Sequence, residues 1–409
     1  MVRTGAEVLL QDGARQLLGL RVGVVANPSA LVRTAQPPWR RLHLVDALRA
    51  AGVNVVRLYG PEHGLWSTAQ DLIAVDGGRD PVFGLDVTTL YGRSEDSLTL
   101  RADALDGVDV LVVDLQDVGA RYYTYAATVC MALQACHERG VQLLVLDRPN
   151  PLGGEVVEGN RVHPRYQSFV GYIDVPQRHG LTLAELVLLY AAESGLTSVL
   201  QVVPCTGWQV ADYMDEQDWG PAGTPWYAPS PNMPTVQTAV VYPGGCLIEA
   251  TRLSEGRGTT RPFELIGASW LDARAYANAL EALEIPGLSV RPMCFEPTFQ
   301  KYAGLVCGGV AVEVSDRRVF PAVRAGLALM VAAMRLGPQH FAWRTETYEF
   351  VSDRLAMDLL MGHTLAREVL ERGGGLDEAT ADFAHDTQLF AARARPHLLY
   401  PRQQGVLAA

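Results

Sequence analysis

At 409 residues, 48% of them hydrophobic, the chain is too long for one ordinary core and has enough apolar material to fill two. Its 34 Lys and Arg stand against 45 Asp and Glu, and the resulting charge of −11 argues against nucleic acid or an anionic membrane surface as a partner. The six cysteines, at 130, 136, 205, 246, 294 and 307, show no CxxC spacing and read as buried free thiols. No long apolar h-region opens the chain and no run approaches the ~18 apolar residues of a membrane span, so a soluble, cytoplasmic protein is expected.

Arg21-Val-Gly-Val-Val-Ala26 reads as a first buried strand, and His43–Ala51 follows with apolar residues at helical spacing and Gly52 as its stop. A second strand runs from Val53 to Tyr59 and ends at Gly60-Pro-Glu-His-Gly64. A polar, glycine-rich insert then reaches about residue 100. Val110–Val113 is an unbroken apolar run, the pattern of a strand covered on both faces, and it stops at Asp114, Gln116, Asp117, Arg121 and a tyrosine cluster.

Ala126–Arg139 is expected to be a helix stopped by Gly140, and Val141–Leu146 a further buried strand ending at Asp147-Arg-Pro-Asn-Pro151. Thr182-Leu-Ala-Glu185 has the form of a capping box opening a helix to about Glu193, and Val199–Val203 is one more strand. Polar groups that follow successive parallel strands converge on one rim, where α/β sheets bind ligands. The fold class expected is therefore α/β: a Rossmann-like parallel-sheet domain over residues 1–207, followed by a smaller α+β domain over 208–409, with the site in the cleft between them.

From Trp208 the sequence becomes rich in Trp, Pro, Gly and Asn and is expected to be irregular, with loops such as Pro229-Ser-Pro-Asn-Met-Pro234 facing the rim. Helices are then expected at Leu271–Leu283, Val319–Leu336, Arg354–Arg372 and Asp377–Ala394, with strands around Ser289–Phe295 and Gly308–Val314.

Several of these groups carry candidate chemistry. The Gly60–Gly64 turn presents the Glu62 carboxylate and the His63 imidazole at a strand end, although a simple turn with a surface glutamate fits as well. No HExxH or CxxC pattern accompanies His63, so no metal is expected. Asp117 offers a second carboxylate, with Gln116, Arg121 and Tyr123 placed to hold a polar substrate; an Asp117–Arg121 pair at (i, i+4) is the structural alternative. Asp147, Arg148 and Asn150 fit a proline-fixed loop or a site equally. Glu255-Gly-Arg-Gly-Thr lacks the P-loop pattern, no GxGxxG follows a strand, and GxSxG is absent, which disfavours nucleotide cofactors and a serine hydrolase. Arg257 has the planar fork to grip a ligand carboxylate.

Taken together, Gly60-Pro-Glu-His-Gly64, Asp114-Leu-Gln-Asp-Val-Gly-Ala-Arg-Tyr-Tyr-Thr-Tyr125, Leu146-Asp-Arg-Pro-Asn-Pro-Leu-Gly-Gly154, Glu158-Gly159, Ser168-Phe-Val-Gly171, Arg178-His-Gly-Leu-Thr182, Pro229–Pro234, Tyr242-Pro-Gly244 and Ser254-Glu-Gly-Arg-Gly-Thr259 resemble the NamZ-type exo-β-N-acetylmuramidase family. The resemblance runs from about residue 19 to Tyr348-Glu-Phe. It implies a metal- and cofactor-free glycosidase that removes N-acetylmuramic acid from the non-reducing end of peptidoglycan fragments, with Glu62 catalytic and either Asp117 or Glu158 as the second group. Glycoside hydrolysis ordinarily uses two carboxyl groups, roughly 5 Å apart when retaining and 6.5–9.5 Å when inverting. For a sugar bearing a lactyl carboxylate, Arg121, Arg148 and Arg257 are the expected clamps, Tyr122, Tyr123 and Trp226 the apolar cover, and Asn232 falls in a matched loop.

The chain departs from the family's pattern at Leu65–Asp71, at Glu249-Ala-Thr-Arg252 and at Gln300-Lys-Tyr302. Those positions bear on recognition of the leaving group. The alternatives are a paralogous hydrolase with a changed substrate, a non-catalytic protein that binds muropeptides or acidic sugars, and a hydrolase that cuts an amide.

Overall fold

The computed structural model describes residues 1–408 apart from 35–39, 71–72, 221–222 and 224–225. Thr4 and Glu7 close a capping box on α1 (Gly5–Leu10), a short helix that sequence reading passes over. There follow β1 (Arg21–Ala26), the antiparallel pair β2 (Leu31–Arg33) and β3 (Arg41–His43), α2 (Leu44–Ala50) and β4 (Asn54–Gly60). The insert contributes β5 (Gly78–Arg79) and β6 (Asp86–Thr89). The first half then continues through β7 (Val110–Asp114), α3 (Tyr125–Arg139), β8 (Gln142–Leu146), α4 (Leu183–Ser194) and β9 (Leu200–Val203).

These strands form one seven-stranded sheet in the order β5-β6-β4-β1-β7-β8-β9, parallel except for β5 at its edge. All five residues of β7 are buried because helices cover both faces. Alternation divides the strands cleanly: Val22, Val24, Val110, Val112, Leu144 and Leu146 pack towards α1 and α2, whereas Val25, Leu111, Val113, Leu143 and Val145 pack towards α3 and α4. The chain builds outward from β1 through β4, then returns to place β7 on the other side. The topological switch therefore lies between β1 and β7, and the groups after β1, β4, β7 and β8 share one rim.

The second half carries a three-stranded antiparallel sheet, β10 (Leu265–Ala268), β11 (Leu288–Phe295) and β12 (Cys307–Val314), in the order β10-β12-β11. Its helices are α5 (Val236–Gly245), α6 (Ala273–Glu281), α7 (Ala322–Leu336), α8 (Ala356–Met361), α9 (Leu365–Glu371), α10 (Leu376–Ala379) and α11 (Phe383–Ala394). Helix α5 forms inside the stretch expected to be irregular, capped by Thr235, whose hydroxyl accepts from the Thr238 amide. The glycines that hide it from a propensity reading have a packing reason: a Cβ on Gly244 would overlap the Ala322 carbonyl, and one on Gly326 would overlap Gly244, so α5 and α7 touch backbone to backbone.

Two long helices expected near the end are each broken. Left-handed Gly362 stops α8 before α9 begins, and its carbonyl accepts from the His163 amide of the first half. Thr380–Asp382 separates α10 from α11. The cysteines are unpaired as expected, but Cys294 is exposed because β11 is an edge strand. Among the described residues, no helix is long and apolar enough to cross a membrane.

Candidate active site

Strand β4 ends at Gly60, and the turn beyond it reverses sharply, with the Gly64 amide donating to the Pro61 carbonyl at 2.8 Å. His63 is held left-handed at φ 68°, a conformation costly for a side-chain-bearing residue and frequent where a site imposes it. Its Nδ1 lies 3.0 Å from the Ala69 carbonyl. Glu62, 6% exposed, accepts a 2.6 Å hydrogen bond on Oε2 from the Thr124 hydroxyl at the start of α3.

Glu62 opens onto a cleft lined from both halves of the chain. The first half lines it with Glu62, His63, Tyr122, Tyr123, Thr124 and Tyr125, and the second half with Ser230, Asn232, Tyr242, Glu249, Arg257 and Phe263. Tyr348 and Glu349 complete the wall. Burial pushes the Tyr122, Tyr123, Tyr242 and Tyr348 hydroxyls well above their usual titration range, so they serve as neutral donors and apolar surface. The loop from the second half is moored by Pro229, whose carbonyl accepts from Asn27 at 3.0 Å, Ser67 at 2.9 Å and Tyr125 at 2.7 Å. Asn232 in turn donates to Gln70 at 2.7 Å.

Of the residues singled out from sequence, Glu62, His63, Tyr122, Tyr123, Asn232 and Arg257 therefore meet in one cleft. The others line it nowhere and are engaged in holding the fold. Arg121 donates to the carbonyls of Asn160 at 2.7 Å, Val175 at 2.8 Å and Leu360 at 2.6 Å, and burial pulls its guanidinium down to about 10. Arg148 is forked onto Asp114 at 2.6 and 3.0 Å. Neither guanidinium reaches the cleft as a clamp.

Asp117 accepts from the Gly119 amide at 2.6 Å and faces His179 at 3.6 Å, while Gln116 donates to the carbonyls of Asp117 and Pro149. Gln116 and Arg148 instead border a separate cavity with Ser29, Arg33, Arg41 and Tyr227. Asn150 bridges Leu181 and Leu152. Glu158 accepts from the Arg324 amide at 2.9 Å in a site whose burial raises its carboxyl pKa. Trp226 donates to the Met233 carbonyl at 3.0 Å and is half-buried behind the loop. Asp71, in the first departing stretch, lies outside the described residues.

Sequence reading missed Glu249, Tyr348, Glu349 and Thr124 as cleft residues. Glu249 is forked between Arg257 Nη2 at 2.6 Å and the Tyr348 hydroxyl at 2.8 Å. Glu349 accepts from Tyr91 at 3.1 Å on a turn where Glu349 and Phe350 both have positive φ. The available signal was their place in motifs: Glu249 in a stretch noted for its departures, and Tyr348-Glu349 at the edge of the resemblance. Among the described residues no three His, Cys, Asp or Glu side chains converge as a metal site.

Comparison with known families covers both halves of the chain. The model of the N-terminal part of exo-β-N-acetylmuramidase NamZ matches residues 22–237, and that of its C-terminal part matches residues 240–400. The chain belongs to the NamZ family. A NamZ relative from Bacillus subtilis (strain 168), the peptidoglycan β-N-acetylmuramidase NamZ, is 37% identical over 400 residues, spanning 98% of this chain and 91% of that one. Two crystal structures of DUF1343 family proteins from Bacteroides fragilis NCTC 9343 share the NamZ fold seen here. BF0371 has a TM-score of 0.82 at 31% identity, covering 98% of this chain and 99% of its own. BF0379 has a TM-score of 0.71 at 27% identity, covering 99% of each.

Proposed function

We propose that the protein is an exo-acting glycosidase that releases β-linked N-acetylmuramic acid from the non-reducing end of peptidoglycan fragments. What carries this reading is Glu62: a buried carboxyl group, aimed by Thr124 into a tyrosine-walled cleft, in a chain of the NamZ family. The relative's name supplies the substrate class, and the cleft supplies groups suited to it.

In this reading the Glu62 carboxyl gives its proton to the glycosidic oxygen as the C1–O bond breaks, the bonding pair leaving with the oxygen. Water then adds to C1 and returns a proton to Glu62. Tyr122, Tyr123 and Tyr242 cover the apolar face of the sugar, and His63, Ser230 and Asn232 offer hydrogen bonds to its substituents. Residues 1–207 form the Rossmann-like domain that holds the carboxyl group, and 208–409 the domain that closes over the sugar. No metal takes part.

Two chromogenic substrates that differ only in the lactyl ether test this: p-nitrophenyl N-acetyl-β-muramide and p-nitrophenyl N-acetyl-β-glucosaminide. The muramide is expected to be cleaved, with or without chelator, and the glucosaminide much more slowly. Faster cleavage of the glucosaminide, or turnover of neither, contradicts the assignment.

A further inference from the structure

The cleft holds a second, differently prepared carboxylate. Glu249 lies in the 3-10 helix Cys246–Ala250 that directly continues α5, and both of its oxygens are engaged: Oε1 by Arg257 at 2.6 Å and Oε2 by Tyr348 at 2.8 Å. It is as buried as Glu62, and the two line the same cavity from opposite halves of the chain. Glu62, by contrast, is met by a neutral hydroxyl. Three carboxyl groups line the cleft: Glu62 and Glu349 each accept from a hydroxyl, whereas Glu249 is in an ion pair with Arg257 and is thereby set up for a different task from Glu62.

The surroundings fix Glu249 in place with unusual thoroughness. The Arg257 guanidinium lies 4.9 Å above the Phe263 ring and 3.5 Å from Glu255, so it cannot swing towards a ligand without leaving both. Phe263 itself is held left-handed at φ 63°. Beneath the loop, Lys301 donates to the carbonyls of Ile248 at 3.1 Å and Leu253 at 3.0 Å and to Glu255 at 2.8 Å, and is presented by Gln300 and Tyr302, both at positive φ. Donors fixed in this way hold the carboxylate in one place, as a preorganised electrostatic group is held.

We propose that Glu249 is the second catalytic carboxylate, the fixed negative charge that faces the anomeric carbon while Glu62 protonates the leaving oxygen. Arg257 and Tyr348 are its positioning residues, and Arg257 acts through Glu249 rather than as a clamp on the sugar's own carboxylate. The inference rests on the glycosidase reading above. As the C1–O bond breaks, positive charge grows on C1 and the ring oxygen, and Glu249 stabilises it; water quenches C1 and its proton passes to the Glu62 carboxylate, so Glu249 ends the cycle unchanged.

The test uses the full chain and two ligands, N-acetylmuramic acid and its iminosugar analogue, whose ring nitrogen is protonated at neutral pH. In Glu249→Gln, kcat on the muramide is expected to fall about 100-fold or more with KM little changed, as when one preorganised electrostatic group is removed. The wild-type preference for the charged iminosugar over N-acetylmuramic acid, read by calorimetry, is expected to disappear in the same variant. A purely structural role would weaken both ligands alike. Should Glu249→Gln not fold, Tyr348→Phe keeps the carboxylate and removes one hydrogen bond to it, and kcat is expected to drop about tenfold.

A folded Glu249→Gln that keeps kcat or the iminosugar preference overturns the proposal, as does Glu349→Gln losing that preference in its place. An unaltered kcat in Tyr348→Phe also counts against it. Wild-type protein that cleaves the muramide while Glu249→Gln matches it refutes this inference and leaves the glycosidase reading standing; wild-type protein that cleaves nothing removes both.

Discussion

Thr124 Oγ1 donates to Glu62 Oε2 across 2.6 Å, and that bond ties the turn after β4 to the first residue before α3. A threonine at this position ordinarily turns its oxygen to cap the helix, yet here its side chain makes no capping bond. The hydroxyl is directed to the carboxyl group instead. Local helix stability has been given up for the orientation of one acid.

Thr124→Val keeps the side-chain shape and removes the donor. Because no cap is lost, melting temperature is expected to stay close to that of the parent while kcat falls about tenfold, the loss of one hydrogen bond to the carboxyl group proposed as the acid. A drop in melting temperature with kcat unchanged would show that Thr124 serves the helix rather than Glu62.

Much of the scaffold was legible because its signals are local. The runs at 21–26, 110–113 and 141–146 are unbroken and apolar, and their ends carry the polar residues of the rim. Which of those residues turns into the cleft was not legible. Arg121 looks like a ligand clamp until chain from Asn160, Val175 and Leu360 arrives to accept its hydrogens, and those segments lie 39, 54 and 239 residues away. Arg148 is taken by Asp114 from a neighbouring strand end. Glu249 was hidden for the converse reason, since Tyr348, which fixes it, is 99 residues further on. The broken helix at Gly362 and the disguised helix at Gly244 both answer to tertiary contacts that no propensity records.

A buried acid away from the cleft sets a pH dependence. Asp147 accepts from Tyr400 at 2.6 Å and from the Ala184 amide at 3.1 Å, and burial beside Glu185 raises its pKa from 3.8 to about 7. A carboxyl group with a raised folded-state pKa contributes stability that is fully present below the unfolded value and drains away as pH rises to the folded one. Melting temperature is therefore expected to carry a declining component between about pH 4 and 7 that Asp147→Asn removes. Parallel melting curves for the two proteins over that range would refute it.

Glu185 and Arg402 form a fully buried ion pair at 2.6 Å, and Arg402 also donates to the carbonyls of Gly154 and Gly180 at 3.0 Å. Removing one partner leaves a buried charge alone, so Arg402→Met is expected to cost about 3–5 kcal/mol in urea denaturation. Glu185→Gln combined with Arg402→Met should lose less than the sum of the single changes. Strict additivity would mean that the pair is not coupled.

The proposed role of Glu62 in releasing N-acetylmuramic acid is tested with the disaccharide N-acetylmuramic acid–N-acetylglucosamine. Pure wild-type and Glu62→Gln proteins are incubated with it and the products identified by mass spectrometry. Free N-acetylmuramic acid and free N-acetylglucosamine are expected from the wild type and an intact disaccharide from a folded Glu62→Gln. Equal release by both proteins would contradict the role of Glu62, and an intact disaccharide in both would contradict the activity itself.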